Sequence, residues 1–288
     1  VFKESSISLE ETIIFICQNL KLKSKNQDQR ILENFFERLN TRVVGLAPQT
    51  VLTLFGVGLT SGTVVDLGYG TTQVAPIVNG FILKNRMKLE EVTGSVLNRH
   101  LEYHLDLPRA LTIDPEFFSE LFQSYQRHER CQQELILENL TSNTPSHFCL
   151  PDGTKVPFPE VQRCIRDVYF EHGSRLVNSI QNSLDSNVYK KYAGLLLGGF
   201  TLTGGMANFD FLVNETVASL NKVNFKNFEK GLVNKGLVAG SEVKGQHSAW
   251  HGAKVISALP SFSTYLITKT EYEEEGERVY QRTSYEIN

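Results

Sequence analysis

One segment of the chain, Ser61–Leu83, carries the residue types that a phosphate-binding turn requires. In such a turn, glycines let backbone N–H groups approach phosphate oxygens, hydroxyls add donors, and a carboxylate holds a hydrated divalent metal. The segment supplies glycines at Gly68 and Gly70, a hydroxyl at Thr71 and a carboxylate at Asp66. A turn of the form Asp-x-Gly-x-Gly also joins strands in ordinary β structure, so the pattern alone indicates phosphate only weakly.

The residues around this turn predict a strand followed by a hairpin. Thr63–Val65 is a short β-rich run, and Asp66–Gly70 is expected to form a tight turn. Thr71–Leu83 is expected to alternate between outward and inward side chains until Asn79-Gly80 reverses the chain, because Asn-Gly favours a two-residue hairpin turn.

A second glycine-rich segment lies near residue 204. Ala193–Leu197 is a fully apolar run of strand length, and it is followed by Gly198-Gly199 and then by Thr203–Gly205. A buried strand that passes through a Gly-Gly turn into a helix places backbone N–H groups at the helix N-terminus, where anions bind favourably. A plain tight turn would show the same residues, so both interpretations stay open.

The remaining pattern predicts an α/β protein. Strands are expected over Thr12–Cys17 and Val43–Leu46, with an amphipathic helix over Gln27–Asn40 between them. A further helix is expected to start near Pro48 and to end at Gly56 and Gly58, and a hairpin is expected over Phe148–Phe158. Thr93 is the expected N-cap of the next helix. The remaining predicted helices are Gly94–Leu105, Pro115–Gln133, Val161–Tyr169, Arg175–Leu184, Phe211–Leu220 and Ser248–Leu259.

Two further predictions concern which side chains are buried. The last of those helices is expected to turn four apolar side chains inward, namely Trp250, Val255, Ile256 and Leu259. The four cysteines occur singly and are expected to be buried free thiols in a reducing compartment: Cys17, Cys131, Cys149 and Cys164.

The histidines give little indication of a metal site. His100 and His104 stand one helical turn apart, which is a spacing that zinc ligands use. The sequence offers no evident third ligand, so ordinary core or rim histidines are the favoured interpretation.

Composition argues against several classes of function. The 288 residues are enough for two domains, and 41% apolar with 21% charged residues is ordinary for a globular protein. A net charge of -3 and a pI of about 6.2 give no overall attraction to nucleic acid or acidic lipid, and the basic run at residues 21–25 is interpreted as a solvated loop. No apolar run reaches the length of a membrane span and no signal peptide opens the chain, so we expect a cytosolic protein without nucleic-acid or membrane partners.

The stretch VVDLGYGTTQVAPIVNGFIL resembles the second phosphate-binding hairpin of the actin superfamily. Further segments are similar to actin landmarks in the same order along the chain: Gly45–Gln49, Leu150–Gly153, Leu202–Met206, Ser248–Ala253 and Ile267–Gly276. Six landmarks in order make a strong signal, although each alone would be weak.

The resemblance implies an α/β, actin-like fold of the ribonuclease H-like ATPase type with two lobes. It places the remainder of the first lobe and the second phosphate hairpin in residues 1–90, the second lobe in 91–245, and a C-terminal helix and tail that return to the first lobe in 246–288. Because Val1 matches a point well inside the family's first lobe, the first phosphate hairpin and the small subdomain 2 are expected to have no counterpart in this chain.

By the same resemblance, ATP or ADP with magnesium could be held as a static ligand, with Asp66 as the metal-holding group. The implied nucleotide-binding residues are Gln49, Asp66, Gly68, Gly70, Thr71, Gly94, Gly204, Gly205 and Met206. The helix positions that grip the ribose and base in actins correspond to Glu120, Gln123 and Ser124.

Two departures from the family pattern predict a degenerate ATPase site with no catalytic residue. Tyr69 stands where the hairpin has a second carboxylate, and Gln73 replaces a histidine. Losing preorganised groups of this kind typically costs several kcal/mol of transition-state stabilisation each, by order of magnitude.

The implied function is a structural subunit that caps or adapts the end of an actin-like filament in a cytoskeletal assembly, with actin or actin-related subunits as partners. The Asp-Leu-Gly-Tyr departure most resembles the actin-related subunit at the pointed end of the dynactin filament. Two alternatives are a filament-forming actin-like ATPase and an actin-related module of a chromatin-remodelling complex. A sugar or acetate kinase of the same superfold is disfavoured by Trp250 and the segment Lys269–Gly276, which are similar to actin-specific features.

Overall fold

The computed structural model of the chain describes residues 12–19, 27–112, 115–138, 145–184, 192–222, 247–276, 279 and 285–287. The basic run at 21–25, which the sequence predicts to be a solvated loop, lies outside these residues.

The described strands form two main sheets and one small hairpin. The strands are β1 (Ile13–Gln18), β2 (Val43–Pro48), β3 (Gly62–Leu67), β4 (Thr72–Val78), β5 (Phe81–Leu83), β6 (Lys88–Glu90), β7 (His147–Cys149), β8 (Lys155–Pro157), β9 (Phe200–Thr203), β10 (Leu266–Thr268) and β11 (Glu286–Ile287). One sheet has the order β1-β2-β10, and the other has the order β11-β5-β4-β3-β9 with β6 paired to β4. β3 lies parallel to β9 and antiparallel to β4.

The helices cover these sheets. They are α1 (Gln27–Glu33), continued by a π-helical segment (Asn34–Arg38), α2 (Gln49–Gly56), α3 (Gly94–His104), α4 (Arg109–Thr112), α5 (Pro115–Glu138), α6 (Phe158–Tyr169), α7 (Glu171–Leu184), α8 (Ala193–Gly198), α9 (Asp210–Lys222), α10 (Ser248–Ser257) and α11 (Lys269–Glu275). Short 3₁₀ turns occupy Lys84–Arg86, Gly205–Asn208 and Pro260–Tyr265. The α/β fold class is confirmed. The predicted division of the chain into lobes at residues 90 and 245 stays a prediction. Strand pairing places β3 to β6, which precede residue 91, in the same sheet as β9, which follows it.

The predicted hairpin turn is confirmed, but the predicted alternation of exposure along β4 is wrong. Asn79 and Gly80 both have positive φ, 51° and 81°, as a tight hairpin turn requires. All six residues of β3 and all seven of β4 are buried, because alternate side chains enter two different cores. Val64 and Ala75 pack in one core, whereas Val65 and Val74 pack in the other.

The strand predicted over Ala193–Leu197 is wrong, since these residues form helix α8. The buried strand, β9, comes after Gly199 instead. A short apolar run fits a buried strand and a buried helix equally well by hydrophobicity, so tertiary packing decides between them. Leu195 is 51% exposed, which shows that one side of α8 faces solvent.

The predicted inward face of the C-terminal helix is also largely wrong. Only Ile256 of the four apolar side chains is buried, whereas Trp250, Val255 and Leu259 are 58%, 45% and 45% exposed. The face of α10 that contacts α2 carries a small residue: a Cβ placed on Gly252 would lie 1.7 Å from the Leu52 carbonyl oxygen. The two helices therefore cross with their backbones in contact at Gly252, and of the larger apolar side chains only Ile256 turns inward.

The cysteines are free, as predicted, but their burial differs from the prediction. Cys164 is buried and Cys131 is half-buried. Cys17 and Cys149 are exposed, because they lie on strands at the edges of their sheets.

We expect Gly252→Ala to destabilise the protein by about 3 kcal/mol, because the added methyl would force α10 away from α2. Gly194→Ala on α8 is the matched control, since a Cβ there meets no atom within 4 Å. Its free energy of unfolding should stay the same or rise slightly, because alanine favours a helix. Chemical denaturation of both variants measures the difference. Equal stability of the two would contradict the close helix crossing.

Candidate functional site

The two predicted glycine segments lie side by side because β3 and β9 run parallel. Asp66 belongs to β3 itself, not to the following turn, and it pairs with Thr203 on β9. Gly204 has a φ of +93°, and a Cβ placed on it would lie 2.4 Å from the Leu67 carbonyl oxygen and 2.6 Å from Asp66 Oδ1. Only glycine fits this contact, so Gly204 fixes how closely the two strand ends approach.

Asp66 is a buried carboxylate that is held by one amide. Its side chain is 2% exposed, and Gln49 Nε2 at the start of α2 donates a hydrogen bond to its Oδ2 over 3.0 Å. Its Oδ1 is buried and accepts no hydrogen bond from any described residue. Burial disfavours the charged form and raises the pKa of Asp66 from 3.8 to about 6.

The turn after β3 is closed by its own backbone and joined to the start of α3. The Gly68 N–H donates to the Thr71 carbonyl over 3.1 Å. The carbonyls of Gly68 and Tyr69 accept hydrogen bonds from the backbone N–H groups of Gly94 and Ser95, over 3.1 and 2.8 Å. These first N–H groups of α3 are therefore used within the protein, although a helix N-terminus would otherwise favour an anion.

Thr93 is the N-cap of α3, as predicted, with its side chain accepting from the Val96 N–H over 3.4 Å. A Cβ placed on the next residue, Gly94, would lie 3.2 Å from both Met206 Sδ and Tyr69 Cα. The structure thus brings together Gly94, Met206 and Tyr69.

Two polar links at this site were missed by the sequence reasoning. Asn19, just after β1, donates from Nδ2 to Thr71 Oγ1 over 2.9 Å, and its Oδ1 accepts from Gln73 Nε2. Asn19 thereby ties the first sheet to the turn of the second. The hydroxyls of Thr203 and Ser248 lie 2.5 Å apart and tie β9 to α10. No local pattern marks either residue, because each partner comes from a distant part of the chain.

A cavity of about 660 Å³ opens beside Tyr69, between the start of α3, helix α5 and the 3₁₀ turn after Gly204. Its lining residues are Tyr69, Gly94, Asn98, Phe118, Ser119, Phe122, Gln123, Gln126, Arg127, Arg130, Gly205, Met206, Asn208 and Phe209. Of the predicted site residues, Gly94, Gly205 and Met206 line this cavity. Gln49, Asp66, Gly68, Gly70, Thr71 and Gly204 do not.

Of the three α5 positions that correspond to the ribose and base grip, only Gln123 lines the cavity. Glu120 does not line the cavity, and Ser124 lines a separate space of about 250 Å³. The sequence reasoning missed Arg127 and Arg130 on the same helix. Their spacing from Gln123, four and seven residues, follows the helical repeat and was the available signal.

The histidine pair lies outside this region. The rings of His100 and His104 are 4.0 Å apart, and His100 Nε2 is 3.3 Å from Asp167 Oδ2. The described residues contain no cluster of three or more metal-ligating side chains, at this pair or at Asp66. Among the helices in the described part of the chain, none has the length and apolar character needed to cross a membrane.

Comparison with known proteins agrees with this architecture. The family model described as Actin matches residues 1–143. The protein named "Putative actin-29" from Dictyostelium discoideum is 22% identical over 298 aligned positions, which cover 98% of this chain and 74% of that protein. The chain is therefore similar to actins over these residues, and the α/β fold is consistent with that similarity.

The donor set at Asp66 does not fit a divalent metal with its nucleotide phosphates. One carboxylate oxygen is taken by Gln49, and the other is enclosed beside Gly204. Because the carboxylate does not line the cavity, a ligand there could not share a cation with it. Magnesium binds in proteins through carboxylates together with substrate phosphates and waters, so it needs an accessible carboxylate.

We expect Asp66→Asn to stabilise the protein in a pH-dependent way. The pKa of Asp66 is raised in the folded state, so ionising it between about pH 4 and 6 destabilises the fold, and this penalty is complete above pH 6. The stability gain should be near zero at pH 4 and about 3 kcal/mol at pH 7, by order of magnitude. Chemical denaturation of variant and parent at several pH values measures it.

Asp152→Asn is a control of opposite sign. Asp152 is exposed, and the Thr154 N–H that donates to it over 2.8 Å lowers its pKa, so its ionised form stabilises the fold. Its replacement should cost a little stability at pH 7 and nothing in acid. A gain for Asp66→Asn that did not change with pH would show that this carboxylate is not desolvated.

Proposed function

We propose that this chain is a non-catalytic, structural member of the actin family that caps or adapts the end of an actin-like filament in a cytoskeletal assembly, of which dynactin is an example. The observation that carries the proposal is the enclosed Asp66, which is bonded to Gln49 and separated from the cavity that Tyr69 lines. Actin or actin-related subunits are the proposed partners.

Phosphate transfer requires groups that this site uses for other purposes. Hydrolysis of a terminal phosphate needs a metal to neutralise developing charge and a polar group to orient the attacking water. By the resemblance to actins, Gln49 stands at the position of the glutamine that orients the attacking water, and here it donates its amide hydrogen to Asp66. Gln73, which replaces a histidine, donates to Asn19. Both glutamines therefore serve as structural links, and this supports a site without turnover.

The exposed apolar side chains of α10 support a role in protein binding. Trp250, Val255 and Leu259 lie on or directly after this helix and are all at least 45% exposed. Lys254 Nζ sits 4.7 Å from the centre of the Trp250 ring, so the aromatic surface has a charged neighbour. Large exposed apolar groups with polar neighbours are typical of interfaces, and tryptophan is enriched among the residues that dominate binding.

We expect the purified protein to release phosphate from ATP no faster than buffer alone, while small amounts of it slow growth at one end of actin filaments. Phosphate release and elongation from seeds with one end blocked would be measured on the same preparation. Steady ATP hydrolysis with self-assembly would instead favour the filament-forming ATPase. Capture of a helical scaffold segment without any effect on filaments would favour the chromatin-remodelling module.

We expect the double variant Val255→Asp/Leu259→Asp to weaken filament-end binding at least about tenfold, because two buried charges would replace apolar contacts at the interface. Leu195→Asp is the matched control, since Leu195 on α8 is similarly exposed, at 51%. Both variants should keep the parent's free energy of unfolding. Equal binding by all three proteins would remove α10 from the proposed interface.

A further inference from the structure

The junction between helices α5 and α9 is built around one carboxylate. Glu129 on α5 accepts the Phe211 N–H at the start of α9 over 3.1 Å through its Oε1. The first N–H groups of a helix have no partner within the helix, so Glu129 satisfies one of them from a neighbouring element. Its other oxygen, Oε2, is buried and accepts no hydrogen bond from any described residue. An enclosed oxygen without a donor disfavours the charged form of the carboxyl group.

Aromatic side chains hold the same junction from its apolar side. Phe209, directly before α9, is 1% exposed, and its ring centre lies 5.8 Å from that of Tyr125 and 5.1 Å from that of Phe122 on α5. The Tyr125 hydroxyl donates to Glu129, one turn further along the same helix. Glu129 therefore lies at the polar edge of a packed aromatic contact, where it is half-buried.

A second carboxylate faces Glu129 across the junction. Asp210, the first residue of α9, accepts a hydrogen bond from Gln133 Nε2 over 3.4 Å. Burial raises the pKa of Glu129 from 4.5 to about 7, against the hydrogen bonds from the Phe211 N–H and the Tyr125 hydroxyl, and the charge of Asp210 adds to the increase. Near neutral pH, the protonated and ionised forms of Glu129 are therefore both populated.

The nearby cation on α6 is bound to other groups of α9. The Arg166 guanidinium lies 5.2 Å from the centre of the Phe211 ring and 3.8 Å from a carboxylate oxygen of Glu215. The described groups that act on the ionisation of Glu129 are its hydrogen-bond donors and Asp210. Ionised Glu129 thus faces Asp210 as a like charge at a half-buried contact, and like charges in such a position repel each other.

We propose that the α5–α9 junction is a pH-sensitive joint, which is closed when Glu129 carries a proton and loosened when Glu129 and Asp210 are both charged. The part of the protein that responds is the first turn of α9. Because the pKa of Glu129 is raised in the folded state, the penalty for ionising it is absent below about pH 4.5, grows as the pH rises and is complete above about pH 7.

The test is amide hydrogen exchange of the full chain at about pH 5 and about pH 8, corrected for the intrinsic pH dependence of exchange. In the parent, protection of the backbone over residues 209–214 should fall at least about tenfold between the two conditions, while β3 and β4 change much less. Glu129→Gln keeps an acceptor for the Phe211 N–H and removes the charge, so it should keep this protection constant within about twofold. Glu120→Gln, at an exposed glutamate on the same helix, is the matched control and should behave as the parent does.

Three results would overturn the proposal: protection of the α9 start that does not change with pH, the same loss in Glu129→Gln as in the parent, or an equal loss throughout β3 and β4. Asp210→Asn gives a second test if Glu129→Gln does not fold. It removes the facing charge and leaves Glu129 in place, so the loss of protection should move to lower pH as the pKa of Glu129 falls, and its extent should shrink. A pH profile identical to that of the parent would contradict the repulsion between the two carboxylates.

Discussion

The parallel pairing of β3 with β9 is the constraint on which the rest of the site depends. It places the residue after β9, Gly204, against the Leu67 carbonyl and Asp66, at a distance that no side chain could occupy. The turn after β3 then meets the start of α3 through two backbone hydrogen bonds, and this fixes one wall of the cavity. The backbone contact at Gly204 therefore sets the positions of β3, β9 and the start of α3, which come from three separate parts of the chain.

Burial of both faces of β3 and β4 explains why the carboxylate at the end of β3 is isolated from solvent. Alternate side chains fill two cores, so the end of β3 lies between two apolar layers. Asp66 sits at that end, where desolvation opposes its ionisation, and its one hydrogen bond comes from another buried element. The same packing that positions the turn thus encloses the carboxylate.

The α2–α10 crossing has a related effect on the surface. Because Gly252 brings the backbones into contact, α10 needs no large side chain on its inner face there. Three of the four larger apolar residues at α10, Trp250, Val255 and Leu259, are exposed, where a partner could cover them. The close crossing of α10 with α2 and the exposed apolar surface of α10 therefore both follow from Gly252.

The sequence by itself determined the α/β class, most element positions, the Asn79-Gly80 reversal and the Thr93 cap, because these depend on local periodicity and turn chemistry. It also marked Gly94, Gly205 and Met206, which the structure brings to one cavity. Tertiary structure alone decided that Ala193–Gly198 is helical and that Trp250 is exposed, because a short apolar run or stripe does not encode what covers it. The links made by Asn19 and Ser248 and the isolation of Asp66 also required the fold. Each arises between residues far apart in sequence, and only the packed chain brings them within hydrogen-bond distance.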